Sequence, residues 1–141
     1  MGFSLIAAFT IVGVSILVSI EIFTGSLIPT ITEIDNSYDD MVDRNIDRVQ
    51  TDINITSVTI TTSGPNYNHN ITVKNMGSIT LNTSEFTILI NGTTQQFICS
   101  DSYLYPEKIT YFNVSNLPGS GPKKLKVITD KGISDYYEYT I

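Results

Sequence analysis

Catalysis and metal binding need side chains that can donate electron pairs in concert, and this chain offers few of them. Its single histidine, His69, lies in the run Ser63-Gly64-Pro65-Asn66-Tyr67-Asn68-His69-Asn70, which reads as a turn. Its single cysteine, Cys99, excludes a disulfide within the chain and reads as a small apolar strand residue. No second imidazole or thiolate is present to complete a metal centre with either. The aspartates between Asp35 and Asp52 fall on helical spacing, whereas a Ca²⁺ cage needs oxygens converging from a loop. No Ser/His/Asp or Cys/His set can be assembled, no glycine-rich phosphate loop follows a strand, and Asp101 and Glu107 read as solvated loop acids. The expectation is a non-enzymatic protein: no catalytic residue, no metal, no cofactor and no small-molecule substrate.

Two other sets of residues carry chemistry of a different kind. Asn-x-Ser/Thr occurs at Asn54, Asn70, Asn82, Asn91 and Asn113, none with proline in the middle, where chance would give about two or three. These are candidate N-glycosylation sites and favour a domain outside the cell. Near the carboxyl end, Tyr136, Tyr137 and Tyr139 cluster in a strand-like segment, and an exposed tyrosine edge suits protein binding.

The element that must position all of this is the stretch Phe3 to Ile20, FSLIAAFTIVGVSILVSI, free of charge and proline. As a helix it would be about 27 Å long, close to the ~30 Å hydrocarbon core of a bilayer. A secretory signal would carry a basic flank, and no Lys or Arg precedes Arg44. The segment is apolar all round, unlike a soluble helix with one apolar stripe. It is expected to span the cytoplasmic membrane once, with Glu21 solvated at the interface. Charge is lopsided. Residues 1–52 hold two basic and eight acidic side chains, whereas residues 53–141 hold six of each. That balance gives no basic patch for nucleic acid.

Beyond Pro29, where a kink or short break is expected, apolar residues return at three- and four-residue intervals. Ile34, Tyr38, Met41, Val42, Ile46 and Val49 form a stripe on an amphipathic acidic stalk, open to the chain's own head or to a second stalk in a homodimer. From Ile53 the period becomes two. Ile53 and Ile55, then Val58 and Ile60, imply a first strand with a bulge between them. Asn91-Gly92 between Phe86-Thr87-Ile88-Leu89-Ile90 and the run up to Phe97 is a type I′ hairpin signal that sets Phe86 opposite Phe97. Further strands are expected near 108–114, 123–129 and 133–141. The organisation is thus a transmembrane helix (1–28), an amphipathic stalk helix (29–52) and a β head (53–141). The chain is α+β, its head an all-β, immunoglobulin-like antiparallel sandwich without the Cys/Trp/Cys core of antibody domains.

Met1-Gly2-Phe3-Ser4 running into an apolar helix, the acidic stalk, Ile71-Thr72-Val73-Lys74-Asn75-Met76-Gly77-Ser78-Ile79-Thr80-Leu81 and Phe86-Thr87-Ile88-Leu89-Ile90-Asn91-Gly92 together resemble the archaellum F-subunit family. The resemblance implies a pilin-like helix in the archaeal cytoplasmic membrane and a head in the pseudoperiplasm. It further implies a static anchor for the rotating filament, with the S-layer protein and a G-type archaellum accessory subunit as partners. Pilin relatives are commonly cut after a Lys/Arg-Gly pair, and Met1-Gly2 departs from that pattern. The alternative is a filament subunit, an archaellin or pilin, that polymerises through its helix.

Overall fold

The computed structural model describes residues Gly2–Ile141; Met1, with which the expected span 1–28 begins, lies outside them. Two compact units divide the chain, Met1–Asp43 and Arg44–Ile141.

The first unit is helical. α1 (Gly2–Ile22) leads through one π-helical turn (Phe23–Leu27) into α2 (Ile28–Gln50), whose first part lies in this unit. Every described residue of α1 is exposed, as a segment meant for lipid or for other helices must be. Three of its hydroxyls are paired within the helix. Thr10, Ser15 and Ser19 each donate to the carbonyl four residues back, at 2.8–2.9 Å, which shields a polar group where no water competes. The expected disturbance at Pro29 takes the form of the π turn, in which the Ile28 amide donates to the Phe23 carbonyl five residues earlier. Proline cannot donate and its ring crowds the preceding turn, so a locally widened helix lets it pass without a break.

The second unit holds the last turns of α2 and ten strands: β1 (Ile53–Ser63), β2 (Asn66–Asn75), β3 (Leu81–Asn82), β4 (Thr87–Ile90), β5 (Thr93–Gln95), β6 (Ile98–Cys99), β7 (Tyr103–Leu104), β8 (Ile109–Leu117), β9 (Pro122–Ile128) and β10 (Ser134–Thr140). They form two four-stranded sheets, β1-β2-β8-β6 and β10-β9-β4-β5, with β3 and β7 paired as a separate ribbon, and every pairing is antiparallel. Alternate residues face inward, so Ile53, Ile55, Ile71, Val73, Ile88, Ile90, Phe112, Val114, Leu125 and Val127 make the core. The bulge in β1 falls between Ile55 and Ser57, where the apolar phase slips. Asn91 and Gly92 both have positive φ, 50° and 79°, as a type I′ turn requires. Phe86 and Phe97 both pack on Phe112, at ring centroid distances of 5.3 and 5.2 Å, so the expected aromatic pair is a three-ring cluster with Phe112 between its members.

The stretch from Ser63 to Asn70 is a correction. Only Gly64 and Pro65 make the turn, and Asn66–Asn70 already belong to β2. Outward asparagines disguise a strand whose inward residue is His69.

The junction between α2 and the sheet is made mainly of backbone. Gln50 ends the helix, and its carbonyl accepts from the Ser78 amide at 3.0 Å, while the Asp52 carbonyl accepts from both Met76 and Gly77 at 2.8 and 3.0 Å. A Cβ on Gly77 would stand 2.3 Å from the Gln50 oxygen and 2.7 Å from the Asp52 nitrogen, so only glycine allows this approach. The helix end is also tied by Thr51, whose hydroxyl donates to the Asp47 carbonyl at 2.7 Å, and by a 2.9 Å ion pair from Lys131 to Asp47. Gly77→Ala is therefore expected to cost about 1–3 kcal/mol by overpacking rigid backbone. Thermal melting of the full chain in detergent checks this, and an unchanged transition would refute the close-approach account.

Candidate functional site

The residues singled out by sequence fall in three places. β10 is an edge strand, and its alternation divides the tyrosines. Tyr136 faces outward and is exposed, with the ammonium groups of Lys126 and Lys124 at 5.0 and 5.7 Å from its ring centroid. Hydrogen bonding to Lys126 holds its phenol below the ordinary value. Tyr137 and Tyr139 face the other way and pack against the core. The outward face of this sheet therefore presents one tyrosine between two lysines, not three tyrosines in a row.

Among the sequons, Asn54, Asn91 and Asn113 are exposed, whereas Asn70 and Asn82 are half-buried. Asn70 and Asn113 are direct cross-strand partners. Asn82 is occupied as a cap, its Oδ1 accepting from the Ser84 amide at 3.2 Å and its Nδ2 donating to Glu85 at 2.9 Å. Asn91 uses only Oδ1, which accepts from the Lys124 amide at 2.8 Å, and its Nδ2, the atom that would carry sugar, makes no hydrogen bond. On α2, Ile34, Tyr38, Met41, Ile46 and Val49 remain exposed and Val42 is half-buried; Val49 is 88 % exposed.

Sequence reasoning missed the most heavily connected polar side chain, Asn75. It is 0 % exposed, yet Nδ2 donates to the Ile79 and Leu104 carbonyls at 2.7 and 3.1 Å and Oδ1 accepts from the Gly77 amide at 2.9 Å. Its backbone is used as fully, with the Asn75 amide on the Lys108 carbonyl and the Glu107 amide on the Asn75 carbonyl, both at 3.0 Å. The signal lay in the spacing Val73-x-Asn75-x-Gly77: a strand end, a buried carboxamide and a glycine two residues later.

Asp101 joins a second polar group. Ser100 and Thr110 hydroxyls donate to its carboxylate at 2.7 and 2.9 Å, which lowers its pKa, and Thr83 donates to its carbonyl. Cys99 lies beside Thr110, Sγ to Oγ1 at 3.3 Å. Among the described residues no three His, Cys, Asp or Glu side chains gather as a metal site.

His69 points into the head at 0 % exposure, its ring edge-on to Tyr139 at 5.5 Å. Neither ring nitrogen, nor the Tyr139 hydroxyl, finds a protein hydrogen-bond partner. Burial first and Lys123 second hold the imidazole below its ordinary value, with a weaker backbone interaction at Tyr67 acting the other way. Burial pushes the Tyr139 phenol up to about 12.

The profile of the archaeal-type flagellin family matches residues 2–138. This chain belongs to the archaeal-type flagellin family. Among solved structures, the archaellum periplasmic stator protein FlaG from Sulfolobus acidocaldarius is similar at a TM-score of 0.54 and 17% identity, over 63% of this chain and 99% of that one. The archaellum periplasmic stator protein complex of FlaF and FlaG from the same organism gives a TM-score of 0.51 at 16% identity, over 62% and 87%. At such identities the likeness is one of fold. No curated protein matches the sequence significantly. The family match thus rests on residues 2–138, and the solved structures add a likeness of fold.

Two outcomes follow for this member of the archaeal-type flagellin family. Because folding depresses the His69 pKa, the unfolded chain takes up the proton first, so stability is fully present above about 6.5 and is lost as pH falls toward the folded value. With one histidine in the chain, melting should drop between pH 7 and pH 5, and His69→Phe should flatten that slope. Tyr139→Phe should be neutral or stabilising by about 1 kcal/mol, since it removes a buried hydroxyl without a partner. A loss of more than that in chemical denaturation would show a partner for the hydroxyl.

Proposed function

We propose that this protein is a non-enzymatic, membrane-anchored stator component of the archaellum, of F type. α1 holds it in the cytoplasmic membrane by a single pass, the sandwich stands in the pseudoperiplasm, and the head binds the S-layer protein, so that the motor has a fixed point against which the filament turns. A G-type archaellum subunit is its second partner, by analogy with the complex of FlaF and FlaG whose fold it resembles. The observation that carries the reading is the pairing of a family match over residues 2–138 with the fold of archaellum stator proteins. A stationary tether needs no reaction centre. It needs an apolar anchor, and one helix here, with a mean hydropathy of 2.4 in its richest window, is long and apolar enough to cross a bilayer.

Within this reading Tyr136, flanked by Lys124 and Lys126, is the assigned contact on the outer sheet face, and the α2 stripe from Ile34 to Val49 pairs two stalks. Glycan falls on Asn54, Asn91 and Asn113, whose exposure leaves room for a sugar. A second reading has support in the family match itself, which is to a flagellin: a filament subunit that buries α1 against its copies.

Full-length protein in lipid nanodiscs, mixed with isolated S-layer protein and sedimented, tests the stator reading. Co-sedimentation is expected, weakened several-fold by Tyr136→Ala with stability changed by less than about 0.5 kcal/mol. No co-sedimentation across pH and salt would sink it. Finding this chain as the repeating unit in electron micrographs of purified filaments would replace it with the filament reading.

A further inference from the structure

At one end of the sandwich lies a cleft of about 380 Å³ with His69, Lys123, Asn91, Gln95 and Asn116 among its walls. Three independent features mark it. Lys123 shares the parity of Leu125 and Val127 and is half-buried as a residue, and its ammonium lies beside Gly119 at the mouth of the cleft. Among the described residues it has no carboxylate at ion-pair distance: Lys124 pairs with Glu138 and Lys131 with Asp47, and Lys123 with neither. A cation at the mouth of a cleft without a protein counter-ion is free to pair with an incoming anion.

The second feature is His69, wholly buried, whose two nitrogens have no protein partner. Burial and Lys123 both disfavour its charged form, so it brings no competing charge beneath the lysine. The third is the rim. Asn116 has φ of 65°, a conformation rare outside glycine, and is held in it by Asn66 Nδ2 donating to its Oδ1 at 2.6 Å and by its own amide donating to Asn68 Oδ1 at 3.0 Å. An asparagine, which tolerates this conformation, pinned from two sides holds the loop after β8 in place.

We propose that this cleft binds a carboxylate-bearing small ligand, with Lys123 pairing the carboxylate, the amides of the rim taking adjoining hydroxyls or polar groups, and His69 forming the floor. One lysine balances a single negative charge. A phosphate dianion would call for more cations or a nest of backbone amides. The proposal goes beyond the stator reading and stands or falls apart from it, because it concerns a small molecule at the end of the sandwich and not a lattice on its face.

The chain's single histidine makes the test direct, since ring-labelled His69 gives one imidazole signal. Full-length protein in detergent micelles is titrated at constant pH and ionic strength with acetate and with glucuronate, against chloride, phosphate and glucose. Both carboxylates are expected to move the His69 signal saturably. Equal midpoints identify the carboxylate alone as the ligand group, and a lower midpoint for glucuronate identifies an acidic sugar whose hydroxyls reach the rim. Lys123→Gln should raise the midpoint about tenfold or more, and Lys123→Arg, which keeps the charge, should retain binding. The proposal is overturned if the carboxylates act no differently from chloride, if phosphate or glucose does as well, or if Lys123→Gln binds like the parent.

Discussion

The head depends on a carboxamide with no accessible surface. Asn75 fills its hydrogen-bonding positions with backbone from three separate segments: the turn to Gly77 and Ile79, the end of β7 at Leu104, and the β7–β8 turn at Glu107 and Lys108. Most of those groups lie in turns or at strand ends, and an unpaired buried peptide group costs about 1–3 kcal/mol. The side chain thus satisfies the first two segments, and the main chain of the same residue satisfies the third. The same turn, held in place, presents Met76, Gly77 and Ser78 to the carbonyls at the end of α2. Gly77 is then obligatory for a reason other than its φ: the helix end approaches so closely that any Cβ would meet an oxygen. Helix exit, first strand and the β2–β3 turn form one hydrogen-bonded unit, and this is why Arg44–Gln50 belong with the sandwich.

A different constraint governs the amino-terminal helix. In the head a polar group needs a protein partner because it is buried among side chains; in lipid it needs one because the solvent offers none. The chain meets the second demand with local means only, hydroxyls turned onto carbonyls one turn back and a π turn that absorbs Pro29. Both devices keep the main-chain ladder intact without calling on another helix, which a helix long and apolar enough to cross a bilayer would need there.

Much of this was legible in residue order. An eighteen-residue uncharged run, a switch of period from 3.6 to two at Ile53, a phase slip at the bulge and Asn91-Gly92 each point to one conformation, because in each case local preference and burial agree. Where they diverge, the reading failed. Asn66, Asn68 and Asn70 favour turns by local preference, yet their alternation with Tyr67 and His69 is that of a strand with a solvated face, and the pairing with β8 decides the matter. The tyrosines of β10 form a cluster in sequence but not in space, since parity sends Tyr137 and Tyr139 inward and only Tyr136 outward. Lys123 and His69 lie far apart in the chain, and only the sheet topology brings them to one end. No period or spacing encodes such a meeting. Asn75 was quoted as part of a motif without its role, because satisfaction of carbonyls at Leu104 and Ile79 is a property of the folded loops.

Read as a tether, the head is loaded through the point where α2 meets β1, and the bonds there are well oriented for it. β1 follows the helix after Thr51 and Asp52 and is paired with β2 from Ile53 to Ser63, so tension along it must shear many antiparallel bonds together instead of opening them singly. At the bulge, where the ladder skips a residue, the Ile55 amide donates to the Asp135 carboxylate at 2.8 Å, which fastens β1 to β10 of the other sheet. Tension arriving at Ile53 is thus divided between both sheets within three residues. The half-exposed ion pair of Lys131 with Asp47 adds little energy by comparison, about 0–1 kcal/mol, but it joins the helix end to the β9–β10 turn. Resistance at this junction is distributed over many backbone bonds and does not hang on any single side-chain charge.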